Sequence, residues 1–216
     1  MTDLTEGNEL KTILYFSVPI FLGNIFEQLY NVTDAAIVGN FIGTEGLAAV
    51  GAGAQIVTLT VFLSTGISIG ASVFISRLYG SKQFEDMKEV LDTNLIFTVL
   101  LAFILTVLGI RCSTIFLKWL SVPPSLLSDA DTYLKIIFSG LVPLFAYNTL
   151  ANSLRGVGDS KTPTYILISS VCLNAFLDII FIAVFRYGTA GAAIATVLAQ
   201  LFSFITCLLY MNRKYP

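Results

Sequence analysis

Three carboxylates, Glu27, Asp34 and Asp178, lie inside apolar runs long enough to cross a bilayer. Holding a charged side chain at membrane depth costs about 3 kcal/mol or more, so an acid kept there marks a functional position. The run FLGNIFEQLYNVTDAAIVG carries Asn24, Glu27, Asn31 and Asp34 at spacings of 3, 4 and 3. On a helix these four share one face, with Gln28 and Tyr30 beside them, and the opposite face is apolar. Such a stripe must face a bundle interior or an aqueous cavity, because lipid offers acids and amides no partner.

Asp178 belongs to a second, weaker stripe, in which Ser170, Asn174 and Asp178 follow at intervals of four. Asn148 and Asn152 repeat that spacing in the preceding run, and Thr196 and Gln200 in the following one. Four helices thus present polar faces that can converge, with Asp34, Asp178 and Thr196 at one level and Asn148 deeper. Two acids with amide and hydroxyl oxygens form a hard-oxygen set that suits Na⁺ or a proton rather than a soft metal. Two carboxylates close together in a low dielectric also tend to share one proton. Either ion can drive a cycle of occupied and empty states. The competing reading pairs each acid with a Lys or Arg of another helix. The 12 Lys and Arg, however, fall at helix ends or in loops, with Lys135 the nearest to an exception. The amides can equally be interhelical glue. Pro19 and Pro143 lie inside apolar runs and are either fixed kinks or bending points.

The elements that position these groups follow from hydropathy. The 216 residues are 56% hydrophobic and 12% charged, with a mean hydropathy of +0.82. A soluble domain needs about 25% charge to cover its surface. A window of about 20 residues gives six spans, at about 13–38, 47–78, 90–110, 131–154, 164–185 and 189–211. The predicted class is all-α: a polytopic membrane protein whose residues 1–216 form one bundle of six transmembrane helices. The connections 39–46, 80–88, 121–128, 155–163 and 186–188 are short and rich in turn residues, and Pro163 is placed to open span 5. Lys11, Arg77, Lys82, Lys88, Arg155, Lys161, Arg213 and Lys214 fall on one side, and Arg111, Lys118, Lys135 and Arg186 on the other. This excess puts both termini in the cytoplasm.

Composition also excludes. The chain has no histidine, the commonest general base and metal ligand. Cys112, Cys172 and Cys207 are scattered in apolar surroundings and support neither a disulfide framework nor a zinc site. A net charge of −2 leaves no basic patch for nucleic acid. The acidic start MTDLTEGNEL is no signal peptide. The chain has no HExxH or Walker motif, so an enzyme is not expected. An aspartyl intramembrane hydrolase using Asp34 and Asp178 would lack its glycine motif, and a scaffold would leave both acids without effect.

The runs VPIFLGNIFEQLYNVTDAAIVGNFIGTEGLAAVGA, NTLANSLRGVGDSKTPTYILISSVCLNAFLDIIFI and GTAGAAIATVLAQ resemble multidrug and toxic compound extrusion (MATE) transporters, and the resemblance covers essentially the whole chain. It implies an antiporter of the cytoplasmic membrane, coupled to H⁺ or Na⁺ and needing no other cofactor, that exports organic cations. It implies an ion site at Asp34, Asn174, Asp178 and Thr196, with Asn148 as the match to a further asparagine. Asn24, Glu27, Gln28, Tyr30, Asn31, Asn152 and Gln200 are then expected to line the cavity, and Pro19 and Pro143 to permit bending. Family members carry about twelve helices in two similar lobes, whereas this chain stops after six, at Arg213-Lys214-Tyr215-Pro216. The expectation is therefore an N-terminal lobe from a truncated chain, completed by a C-terminal lobe or a second copy. Lipid-linked oligosaccharide flippases share the architecture, but their cavities would be more basic, and this interior carries acids.

Overall fold

The structure, a computed structural model, describes residues 9–214, with side chains from residue 13. The acidic start, the Lys11 side chain counted in the charge asymmetry, and Tyr215-Pro216 lie outside the described residues.

Every described element is helical. In order they are α1 (Glu9–Phe41), α2 (Thr44–Gly80), α3 (Phe84–Trp119), α4 (Pro124–Ser139), α5 (Leu141–Gly156), α6 (Lys161–Asp178) with a π-helical continuation at Ile179–Val184, and α7 (Gly188–Lys214). Among the described residues five helices are long and apolar enough to cross a membrane, and the bent pair α4 and α5 makes a sixth when taken as one span. Large apolar side chains such as Leu59, Phe62, Leu100, Phe103 and Phe176 stand exposed on the outside. That is the surface a lipid solvent requires, and the chain is a multi-pass membrane protein.

The helices outrun the hydropathy windows, most of all α3, because hydropathy reports the apolar stretch while helical hydrogen bonding continues into polar ends. Span 4 needs a larger correction. Expected as one helix over 131–154, it is two helices bent by 48°. α4 also begins at Pro124, so most of the link expected at 121–128 is helical. The break has a local cause: Pro143 cannot donate to the carbonyl one turn back, and its ring crowds that carbonyl. Thr106 Oγ1 donates to the Phe138 carbonyl at 2.9 Å and holds the acceptor beside the bend. On its other side the bend meets α7. A Cβ on Gly140 would stand 2.6 Å from Val197 Cγ2 and 3.1 Å from Gln200 Oε1, so glycine is required for this approach. α1, by contrast, stays helical through Pro19.

The main core lies among α2, α3, α4 and α5, where Ala49, Ala102 and Ala130 let Leu134, Phe138 and Phe145 pack close. Small residues play this part in membranes because lipid is as apolar as the core and tight contact is what favours association. At one end of the bundle the α5–α6 loop is fastened on two sides. Val157 packs with Ile75 and Met87. Asp159 accepts from the Thr162 N–H at 3.1 Å, from Tyr210 Oη at 2.9 Å and from Lys214 Nζ at 3.2 Å. Burial alone would push the Asp159 carboxyl up, but these bonds outweigh it and hold it below the usual carboxylate range.

Candidate ion site

α1, α6 and α7 meet where the two predicted acids stand. Ser170 Oγ donates to the Ala199 carbonyl at 2.8 Å and fixes the register of α6 on α7. From Ser170, each further step of four residues returns to the same face of α6, so Asn174 and Asp178 follow it into the interior. Asn174 is 2% exposed and Asp178 is fully buried. Asp178 is the last residue before the π-helical turn. There the ladder slips by one residue, as in the bond from the Phe185 N–H to the Ile180 carbonyl at 2.9 Å. Such widened turns recur at functional positions because they re-aim a side chain that a regular helix would hold elsewhere.

From α1, Asp34 comes up beside Asp178, close enough for each carboxyl to lie in the field of the other. Tyr30, one turn earlier, shares a hydrogen bond of 3.1 Å between its hydroxyl and Thr196 Oγ1 of α7. Tyr30 and Tyr133 lie within the field of both acids. The ion pairs among the described residues engage other carboxylates: Lys135 with Asp131 at 2.6 Å and Lys214 with Asp159 at 3.2 Å. No cation of the chain neutralises the buried pair among the described residues.

Both carboxylate oxygens of Asp178, Oδ1 of Asp34 and both amide atoms of Asn174 are buried without a hydrogen-bond partner. Native interiors leave few such groups, and each costs about 1–3 kcal/mol. Four of these atoms are hard oxygens, which fits a proton or a small alkali cation. Among the described residues no three His, Cys, Asp or Glu side chains converge as a metal site.

Other sequence candidates are placed elsewhere. Asn148 donates to Ser64 Oγ of α2 at 3.0 Å, and Asn152 donates to the Asn148 carbonyl and accepts from Arg155. These amides belong to a second polar seam between α2, α3 and α5, with Ser68, Thr98 and Thr149. The α1 stripe is divided. Gly23, Tyr30, Asp34 and Val38 turn inward, and a Cβ on Gly23 would lie 3.5 Å from Leu167 of α6. Asn24, Glu27, Gln28 and Asn31 are exposed in this bundle. Gln200 is at the site's edge, its Oε1 buried and unpartnered beside the α4–α5 bend.

Two features had no sequence signal. Tyr133 of α4 is 8% exposed, and its ring occupies room left by Gly53, whose Cβ would stand 3.2 Å away. A tyrosine in an apolar run reads first as an interface residue, and the π turn falls in a plain run of aliphatic and aromatic residues.

The fold has close counterparts. Residues 19–180 match the family model described as MatE. The chain is 34% identical over 209 residues to the "Probable multidrug resistance protein YpnP" of Bacillus subtilis, covering 97% of this chain and 47% of that protein. It is 24% identical to the "Multidrug export protein MepA" of Staphylococcus saprophyticus, over 97% of this chain and 46% of the other. A crystal structure of MATE in complex with MaD3S superposes with a TM-score of 0.90 at 27% identity, over 98% of this chain and 48% of that one. The chain thus spans about half the length of the relatives it matches.

Proposed function

The chain belongs to the MatE family of transporters, not to an enzyme class, and from that premise we propose that it is the N-terminal lobe of a cation-coupled multidrug exporter. The observation that carries the reading is the unneutralised pair Asp34 and Asp178, with three of its carboxylate oxygens and the Asn174 amide oxygen buried without protein partners. H⁺ or Na⁺ is the coupling substrate. Asp34 and Asp178 supply charge, Asn174 and Thr196 supply neutral oxygens, and Tyr30 links α1 to α7 through Thr196.

Two carboxylates held together in a dry interior repel unless a cation or proton joins them. Ion entry therefore draws α1 towards α6, and ion loss lets the two separate. α1 is the element free to respond, because its outer face is exposed and Pro19 interrupts its hydrogen-bond ladder. The exposed residues Asn24, Glu27, Gln28 and Asn31 then face the space shared with the second half, where an organic cation would find a carboxylate and aromatic walls. Binding of the ion and of the substrate compete through the position of α1, which is antiport by population shift. The excess of Lys and Arg on the side of the bundle where both helical ends fall supports a cytoplasmic location for both ends in the cell membrane.

The test uses the two-lobe protein in everted vesicles. Asp34→Asn and Asp178→Asn are expected to stop ion-driven export of a fluorescent organic cation. Export by either variant at the wild-type rate would overturn the assignment.

A further inference from the structure

A second feature of α1 lies on its outer side, away from the acids. Between α1 and the start of α6 runs a groove of about 470 Å³, floored by Val18, Leu22 and Ile168 and ending at Tyr15, Lys161 and Tyr165. From Leu14 to Leu22 it follows about 12 Å of helix. The floor is apolar and open to the outside, with Val18 52% exposed. The Lys161 ammonium sits at one end, 4.5 Å from the Tyr15 ring centroid, and donates to the Tyr15 hydroxyl. That partner is neutral. Among the described residues no carboxylate pairs with Lys161, and Asp159, close in sequence, is already bonded to Thr162, Tyr210 and Lys214.

An apolar trough that ends in an ammonium bonded to a neutral phenol, with a second phenol beside it, at the depth where a spanning helix begins, has the polarity profile of a phospholipid. We propose that this groove binds an anionic phospholipid of the leaflet facing the α5–α6 loop, with an acyl chain along Val18, Leu22 and Ile168 and the phosphate on Lys161. Charge selects the anionic lipid over the zwitterionic one, because a zwitterionic headgroup carries its own cation next to the phosphate. The site touches α1 on the face opposite Glu27 and Asn31, so the lipid braces the helix without entering the ion site.

The test is native mass spectrometry of the purified chain, delipidated in detergent and given phosphatidylglycerol or phosphatidylcholine in equal amounts. Phosphatidylglycerol adducts are expected to exceed phosphatidylcholine adducts by roughly fivefold, the scale of one Lys near an anionic surface. Lys161→Gln, a change at an exposed side chain, should erase the preference, and Val18→Trp, which fills the trough, should remove both adducts while the melting temperature shows the fold intact. Equal retention of the two lipids by the wild type would overturn the proposal. So would a preference that survives Lys161→Gln, or retention of neither lipid because another protein segment covers the groove.

Discussion

Between α2, α3 and α5 the hydroxyls of Ser64, Ser68, Thr98 and Thr149 all have protein partners, whereas between α1, α6 and α7 Asp34, Asn174 and Asp178 leave theirs unmet. Both regions are polar, buried and enclosed by the same bundle. In the first the hydroxyls are satisfied: Thr149 donates to the Phe145 carbonyl at 3.0 Å and meets Thr98 at 3.0 Å, so helices are tied together. Among the described residues its loose ends are Asn94 Nδ2 and Arg155 Nε, an amide and a guanidinium nitrogen rather than acids. The second leaves buried acids and an amide without protein partners, the feature on which the proposed ion binding rests. Satisfied polar groups in a membrane act as glue, and unsatisfied acids act as ligands waiting for a charge.

The contrast is broken most directly at Asp178. Losing one charge-assisted bond costs about 1.5–3 kcal/mol, so Asp178→Asn should weaken cation binding by roughly ten- to a hundredfold. The melting temperature should hold or rise, because an unpaired buried charge is gone. A titration of the purified variant with NaCl, beside a thermal melt, checks both, and a fall in melting temperature without a loss of binding would make Asp178 a structural residue instead.

Gly140 joins the two regions, because the bend packs against α7 beside Gln200. Gly140→Ala should cost about 1–3 kcal/mol by overpacking against Val197, read as a lower midpoint in thermal unfolding. If it also changes ion affinity, the two regions are coupled through the bend. In the seam of α2, α3 and α5, Thr149→Val should cost only about 0.6–1.7 kcal/mol, the range for interhelical hydrogen bonds, and leave ion binding as it was. A Thr149→Val chain that no longer binds the ion would erase the distinction drawn between the regions.

The smallest effect is expected at the α5–α6 loop, where the Asp159 carboxylate is the satisfied counterpart of Asp178. A carboxyl held below its usual value stabilises the fold at pH above the unfolded value of about 3.9, and that contribution is lost as pH falls through the lower folded value. Acid should therefore loosen the loop from Tyr210 and Lys214. The loss should be at most about 1 kcal/mol, as for an ion pair near the surface, and absent in Asp159→Asn. Hydrogen exchange at Val157–Ser160 between pH 6 and pH 3 reads it.

Much of this was legible in residue order, because the bilayer is a severe solvent. It demands runs of about 20 apolar residues and penalises each acid within them, so the spans and the candidates Asp34, Asn174 and Asp178 could be read from the chain alone. Helical spacing could say which residues share a face. It could not say which way that face points: the stripe from Asn24 to Asp34 is divided, and only Asp34 and its neighbour Tyr30 enter the interior. The seating of the Gly140 bend on α7, the π turn after Asp178, the arrival of Tyr133 and the bond from Asn148 to Ser64 were decided by packing. Each depends on how one helix lies on another, and that relation exists only once the helices have docked.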